Sequence, residues 1–327
     1  MVVSTTPARL RLGIVKFASC DGCQLSLLDL EDELLDVAER FEVVEFAEAS
    51  SLRSRGPYDV LLVEGSISTA DQAAEIIELR EQARLLVTIG ACANAGGIQA
   101  LRNWTSEQAF RAAVYPSPDY IDSLATATPV SEHVTVDASL PGCPISGGQL
   151  REVLASIAIG RRPQIREESV CVECKRRGTP CILVSSGVPC LGPVTQAGCG
   201  AICPAFGRGC YACFGPKEAA NTASLGDAFV GAGRAPTEVG RLFAGFTAYA
   251  EPFRTQVTER RGLERSAPFG RPSVLPVGAV PPVADVMRGA GTAGGPADPA
   301  APTTPAGRSK AGGTRARRRA GDPDARR

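Results

Sequence analysis

Several things the sequence lacks narrow its function. Its 35 Lys and Arg balance 35 Asp and Glu, so no net field points to nucleic acid or to a charged membrane surface. No apolar run reaches the roughly 18–20 residues of a membrane span. Met1 to Arg11 lack the apolar stretch of a secretory signal and hold no adjacent arginine pair of the export type. The cytoplasm is therefore the expected compartment. Histidine occurs once, as His133, away from every motif described below, and is expected at the surface rather than as a ligand.

Cysteine is abundant by contrast. All twelve lie before residue 214. Cys20-x2-Cys23, Cys92 and Cys143 are spread over the first half; Cys171-x2-Cys174, Cys181, Cys190, Cys199, Cys203 and Cys210-x2-Cys213 follow as a dense block. Twelve is three fours, and four thiolates hold one cubane iron–sulfur cluster. Six disulfides would suit an exported chain, and nothing here marks export. Zinc would take two Cys-x2-Cys knuckles close together. That alternative stays open for the block, but it fits poorly with four cysteines scattered over more than a hundred residues.

The first 160 residues alternate between strand and helix signals. Residues 10–17, 41–46, 58–63 and 85–89 are apolar and β-branched enough for buried strands, and Val134 with Val136 marks a short last one. Helical spacing recurs over residues 24–40, 70–83 and 149–159. This order predicts an open, mostly parallel sheet with helices on both faces, of the flavodoxin-like kind. Ligands of such sheets gather beyond the C-terminal strand ends. Cys20, Glu64, Cys92 and Cys143 each follow a predicted strand, so they are expected to converge. Gly22, Gly90, Gly96, Gly97 and Gly142 beside them would let backbone approach a cluster.

From Cys171 to Pro216 the hydrophobic periodicity fades, and Cys, Gly and Pro dominate. Such a segment buries too little apolar surface to hold itself, and metal ligation would supply the missing folding free energy. Helical patterns return over residues 219–230 and 236–260. Past about Ser266, Pro, Gly, Ala and Arg prevail, ending in a basic low-complexity stretch expected to be disordered. The expected organisation is an extension over residues 1–9 and a proximal-cluster domain over 10–165. A Cys-rich iron–sulfur domain with flanking helices over 166–262 and a tail over 263–327 complete it.

SCDGCQLSLLDLE (19–31), VEGSIST (63–69), TIGACANAGGIQ (88–99), PGCP (141–144) and the whole of residues 170–216 together resemble the small subunit of [NiFe] hydrogenases. Within that family they resemble the delta subunits of the cytoplasmic, NAD(P)-linked sulfhydrogenase type. The resemblance covers about residues 10–260. It implies an electron-transfer subunit of an oxidoreductase with three [4Fe–4S] clusters, partnered by a nickel–iron large subunit and a flavin and iron–sulfur diaphorase. By resemblance Cys20, Cys23, Cys92 and Cys143 ligate the proximal cluster and Glu64 stands near it. Cys190, Cys210 and Cys213 match the medial cluster, and Cys171, Cys174 and Cys181 the outer one. Cys199 and Cys203 complete one cluster each, in an order the resemblance leaves open. Where membrane-bound relatives use histidine, this chain has Cys171. Two rivals remain: a cluster-bearing subunit of a quinone-linked complex, which shares the first domain but uses adjacent cysteines at the first motif, and a zinc-binding scaffold.

Overall fold

The computed structural model describes residues 9–51, 54 and 56–261, which lie in one compact unit. The extension over residues 1–9, apart from Arg9, and the tail over 263–327 lie outside the described residues. Five strands, β1 (Leu10–Lys16), β2 (Phe41–Phe46), β3 (Tyr58–Glu64), β4 (Ala83–Ile89) and β5 (Ala138–Leu140), pair in parallel in the order β2-β1-β3-β4-β5. This is the flavodoxin-like order, with its switch point between β1 and β3.

The sheet is buried on both faces, as near-continuous apolar strands require. Alternate residues sort between two cores. Leu12, Ile14, Val60, Leu62, Leu85 and Val87 face one way, under Leu27 of α1 (Gly22–Leu28), Val37 of α2 (Glu33–Arg40) and Leu150, Val153 and Leu154 of α6 (Gly147–Ala158). Leu61, Val63 and Leu86 face the other way, under Ile76 and Leu79 of α3 (Ala70–Gln82) and Ala93 of α4 (Gly90–Ala95). Thr69 starts α3 with a capping box: its hydroxyl accepts the Gln72 N–H, and the Gln72 side chain accepts the Thr69 N–H.

Two expectations for the first half are corrected. The last strand is Ala138–Leu140, not the Val134–Val136 segment. The Asp137 carboxylate accepts the Leu86 N–H at 2.7 Å and pairs with Arg80, so the side chain occupies the ladder position until Ala138. The single helix expected over residues 24–40 is two, α1 and α2, broken where Glu31 takes φ 50°.

After α5 (Glu107–Val114), the second half is short helices and turns: α7 (Val170–Arg177), α8 (Ile182–Ser186) and α9 (Ile202–Ala205) within the cysteine block, then α10 (Thr222–Gly231), α11 (Pro236–Phe243) and α12 (Phe253–Arg261). The expected helix over residues 236–260 is thus split in two. These helices pack Phe229, Val239, Phe243, Phe253 and Val257 against Leu191 and Val194 of the block, and against Trp104 from the first half. Trp104 meets Tyr249 edge-on at 6.0 Å and donates from Nε1 to Thr258 Oγ1 at 3.2 Å. The cysteine block is therefore propped by an apolar support that draws on both halves of the chain.

Candidate metal centre

Parallel pairing places four strand ends together. Lys16 pairs with Glu64 and Glu64 with Ile89, while Ile89 pairs with Leu140. Just past these ends lie Cys20, Cys23 on α1, Cys92 on α4, and Cys143. The expected convergence is therefore present. Burial pushes up the thiols of Cys23, Cys92 and Cys143, Cys92 to about 12. Repulsion within the set adds to this: Cys92 and Cys143 act on Cys23, Cys143 and Cys20 on Cys92, and Cys20 on Cys143. Thiols held this way lose their protons when a cationic centre binds them.

At two points the backbone beside these sulfurs leaves room for nothing larger than glycine. A Cβ on Gly90, where φ is +84°, would stand 2.3 Å from Cys23 Sγ; one on Gly97, at φ +63°, would stand 2.5 Å from Cys92 Sγ. The glycines are thus part of the cradle. Among the described residues, no three Cys, His, Asp or Glu side chains close to the spacing of one mononuclear ion. A cubane with four irons is a wider guest. The donor set and the cradle fit such a cluster.

Glu64 ends β3 and is 2% exposed. Its Oε1 accepts the Cys23 N–H and its Oε2 the Gln24 N–H, each at 3.2 Å. Burial raises its carboxyl above the ordinary range, against the pull of those two N–H groups. Gln99 makes a second tie: Nε2 donates to the Ala18 carbonyl at 2.9 Å, and Oε1 stands 3.5 Å from Cys92 Sγ. Gln99 holds the Cys20 and Cys92 loops together. Its position at the end of the TIGACANAGGIQ motif was the available signal.

The block's eight cysteines lie close enough to perturb one another. After burial, Cys171 is raised by Cys190 and Cys181, and Cys174, pushed up to about 11, by Cys171, Cys190 and Cys181. Cys213, pushed up to about 12, feels Cys199, Cys143 and Cys203, and Cys210 feels Cys190 and Cys213. The Cys210 N–H donates to Cys190 Sγ at 3.2 Å. Cys190 stands near Cys171, since a Cβ on Gly192 would lie 3.3 Å from the one sulfur and 3.7 Å from the other, and Cys199 and Cys203 both act on Cys213. The chain crosses over at Leu191, whose N–H donates to the Cys210 carbonyl. Spacing along the chain carries no trace of that crossing.

Cys143 of the first set stands close enough to Cys213 to perturb its thiol, as Cys199 does that of Cys174. Cys181 is exposed. His133 is no surface ornament: half-buried, it lies 2.8 Å through Nε2 from Thr128 Oγ1, away from the cysteines. Glu173, which spacing alone did not single out, is buried between Cys171 and Cys174. Being the one acid between residues 169 and 217 was its signal.

Comparison with known proteins places these features in a lineage. The family model described as NADH ubiquinone oxidoreductase, 20 Kd subunit, matches residues 20–157. The sulfhydrogenase 2 subunit delta of Pyrococcus furiosus is 39% identical over 208 residues, covering 64% of this chain and 87% of that protein. A subunit of the vhu F420-non-reducing hydrogenase of Methanococcus voltae is 30% identical over 276 residues, covering 75% and 96%. Among solved structures, a chain of an NAD+-reducing [NiFe]-hydrogenase in the H2-reduced state is 27% identical, with a TM-score of 0.45 over 48% of this chain and 96% of that one.

Proposed function

The chain belongs to the hydrogenase small-subunit family that includes the sulfhydrogenase delta chain and its F420-non-reducing hydrogenase counterparts, and from that premise we propose that it is the electron wire of a [NiFe] hydrogenase. It is a subunit of an oxidoreductase whose family pairs it with a large subunit. In our reading that partner bears the nickel–iron site, and electrons pass between it and an NAD(P)-reducing flavin and iron–sulfur module in the cytoplasm. No described helix is long and apolar enough to cross a membrane.

The single observation that carries this reading is the meeting of Cys20, Cys23, Cys92 and Cys143 at the strand ends, with eight further cysteines in the block that follows. We assign the proximal set to Cys20, Cys23, Cys92 and Cys143; the middle set to Cys199, Cys203, Cys210 and Cys213; and the outer set to Cys171, Cys174, Cys181 and Cys190. Each would hold a [4Fe–4S] cluster, which when bound takes up and releases one electron at a time. The chain's own residues set spacing and environment. Glu64 and Gln99 hold the loops that carry Cys20, Cys23 and Cys92. Cys213 stands close enough to the Cys143 backbone and sulfur to be perturbed by both, which suits electron transfer between the first two sets. Cys181, which is exposed, would mark the outlet.

The description of the matching family model favours a second reading, a quinone-linked complex. That match stops at residue 157 and leaves the eight-cysteine block unaccounted for, whereas the sulfhydrogenase and F420-non-reducing hydrogenase matches extend over 64% and 75% of the chain. Anaerobic metal analysis of the complex captured through this chain separates the two. Nickel near one per copy, with more than about twelve irons from three cubanes and the partners, is the expected result. Iron without nickel would move the quinone-linked reading to the front, and a colourless, zinc-loaded protein would leave only the scaffold. Reduction of NAD(P)+ by that complex under H2 tests the electron acceptor.

A further inference from the structure

Glu173 sits on α7 between Cys171 and Cys174, is 6% exposed, and turns its carboxylate away from its own helix. Oε1 accepts the Gly198 N–H at 3.0 Å. Oε2 accepts the Ala201 N–H at 3.2 Å and stands 3.8 Å from Cys199 Sγ. One side chain from the outer set thus grips the backbone on both sides of a cysteine in the middle set. The gripped loop is unusual. Gly198, Gly200 and Ala201 take φ of +148°, +69° and +54°, and Ala201 is fully buried. An alanine resists the left-handed region, so something must hold it there. Backbone of this kind turns its N–H groups inward to receive an anion, and here the anion is supplied by the chain itself.

Glu64 does the same at the proximal set, 2% exposed and bonded to two successive N–H groups beginning at Cys23. Two of the three sets therefore share one device: a buried carboxylate clamped to the backbone at a cysteine. The nearest cation to Glu173 is the Arg166 guanidinium, 3.8 Å from Oε1, on a side chain that is 48% exposed. Solvent weakens its compensation, while the carboxylate faces Cys199 from inside the protein.

We propose that Glu173 is a positioning residue that holds the Cys199 loop and keeps a fixed negative charge beside its sulfur, lowering the reduction potential of the middle cluster. The inference rests on the three-cluster reading above. An electron added beside a buried anion is less stable than one added where that anion is absent. The middle site is thereby kept from becoming an electron trap between its neighbours.

The test is a potentiometric titration of the intact complex, followed by electron paramagnetic resonance, on wild type, Glu173→Gln and Glu173→Asp, with iron counted in each. Glu173→Gln is expected to keep wild-type iron and to raise the midpoint of one cluster while the other two stay in place. Glu173→Asp, which keeps the charge, is expected to shift it less. Unmoved midpoints in an iron-replete Glu173→Gln complex overturn the inference and leave the cluster reading standing. Should Glu173→Gln lose iron, Glu173→Asp carries the test, and a midpoint raised as far as loss of the charge requires, or no middle cluster at all, overturns the inference. A wild-type complex without iron sinks the cluster reading and this inference together.

Discussion

Gly90 and Gly97 lie where no other residue fits. Each takes a positive φ, and the Cβ it lacks would sit within 2.5 Å of a proximal sulfur. Gly90→Ala meets two penalties at once: a left-handed backbone, costing about 1–2 kcal/mol, and a methyl group in the cradle against Cys23. The variant is expected to lose the proximal cluster, about four irons per chain, while keeping the other two. Iron assay with spectroscopy of the purified complex checks it; full iron content would mean that the loop can retreat from the sulfur. The same scale accounts for what the cysteines look like before metal arrives. Burial raises most of them, and the cost of deprotonation falls on metal binding, so loading is expected to favour alkaline over acidic buffer.

At the scale of elements, the parallel sheet and the α10–α12 support do different work. The sheet brings four strand ends to one edge, and its register leaves no slack in where Cys20, Cys92 and Cys143 emerge. The cysteine block has no such frame of its own and leans on α10–α12. Phe253 is fully buried there, 5.7 Å from Phe243 between ring centroids. Phe253→Ala is expected to destabilise the protein by about 3–5 kcal/mol through the cavity it leaves, read as a lowered midpoint in denaturant. Because Phe253 shares its core with Leu191 and Val194, iron from the middle and outer sets should be released before proximal iron. Loss of proximal iron first would show that the support braces the sheet instead.

Across the whole molecule, the path we propose would run from the set around the buried Cys23 to the exposed Cys181. Among the described residues there are two cores on the sheet, one under the block and a smaller one within it. Deleting residues 270–327, a stretch of Pro, Gly, Ala and Arg, is expected to leave iron content, assembly and H2-dependent turnover within error of wild type. Size-exclusion of the complex and a turnover assay would check this, and a truncated chain that failed to join its partners would make the tail a docking element.

The sequence by itself determined the sheet and the meeting of the first four cysteines at its strand ends. Apolar strands alternate with helices at strong periodicity, and Cys20, Cys92 and Cys143 follow strand ends, so convergence followed from parallel topology alone. The family resemblance was equally legible, because it rests on local motifs. Tertiary structure decided the rest. Asp137 displaced the last strand through a hydrogen bond to Leu86, a contact across 51 residues that no local pattern encodes. The neighbours of Cys190, Cys199 and Cys203 depend on a chain crossing at Leu191, in a segment where hydrophobic periodicity is absent. Glu173 is one of the two residues between Cys171 and Cys174, and only folding carries the Cys199 loop onto its carboxylate. Periodicity reports which face of an element is buried, whereas contacts between distant loops are fixed only when the whole chain packs.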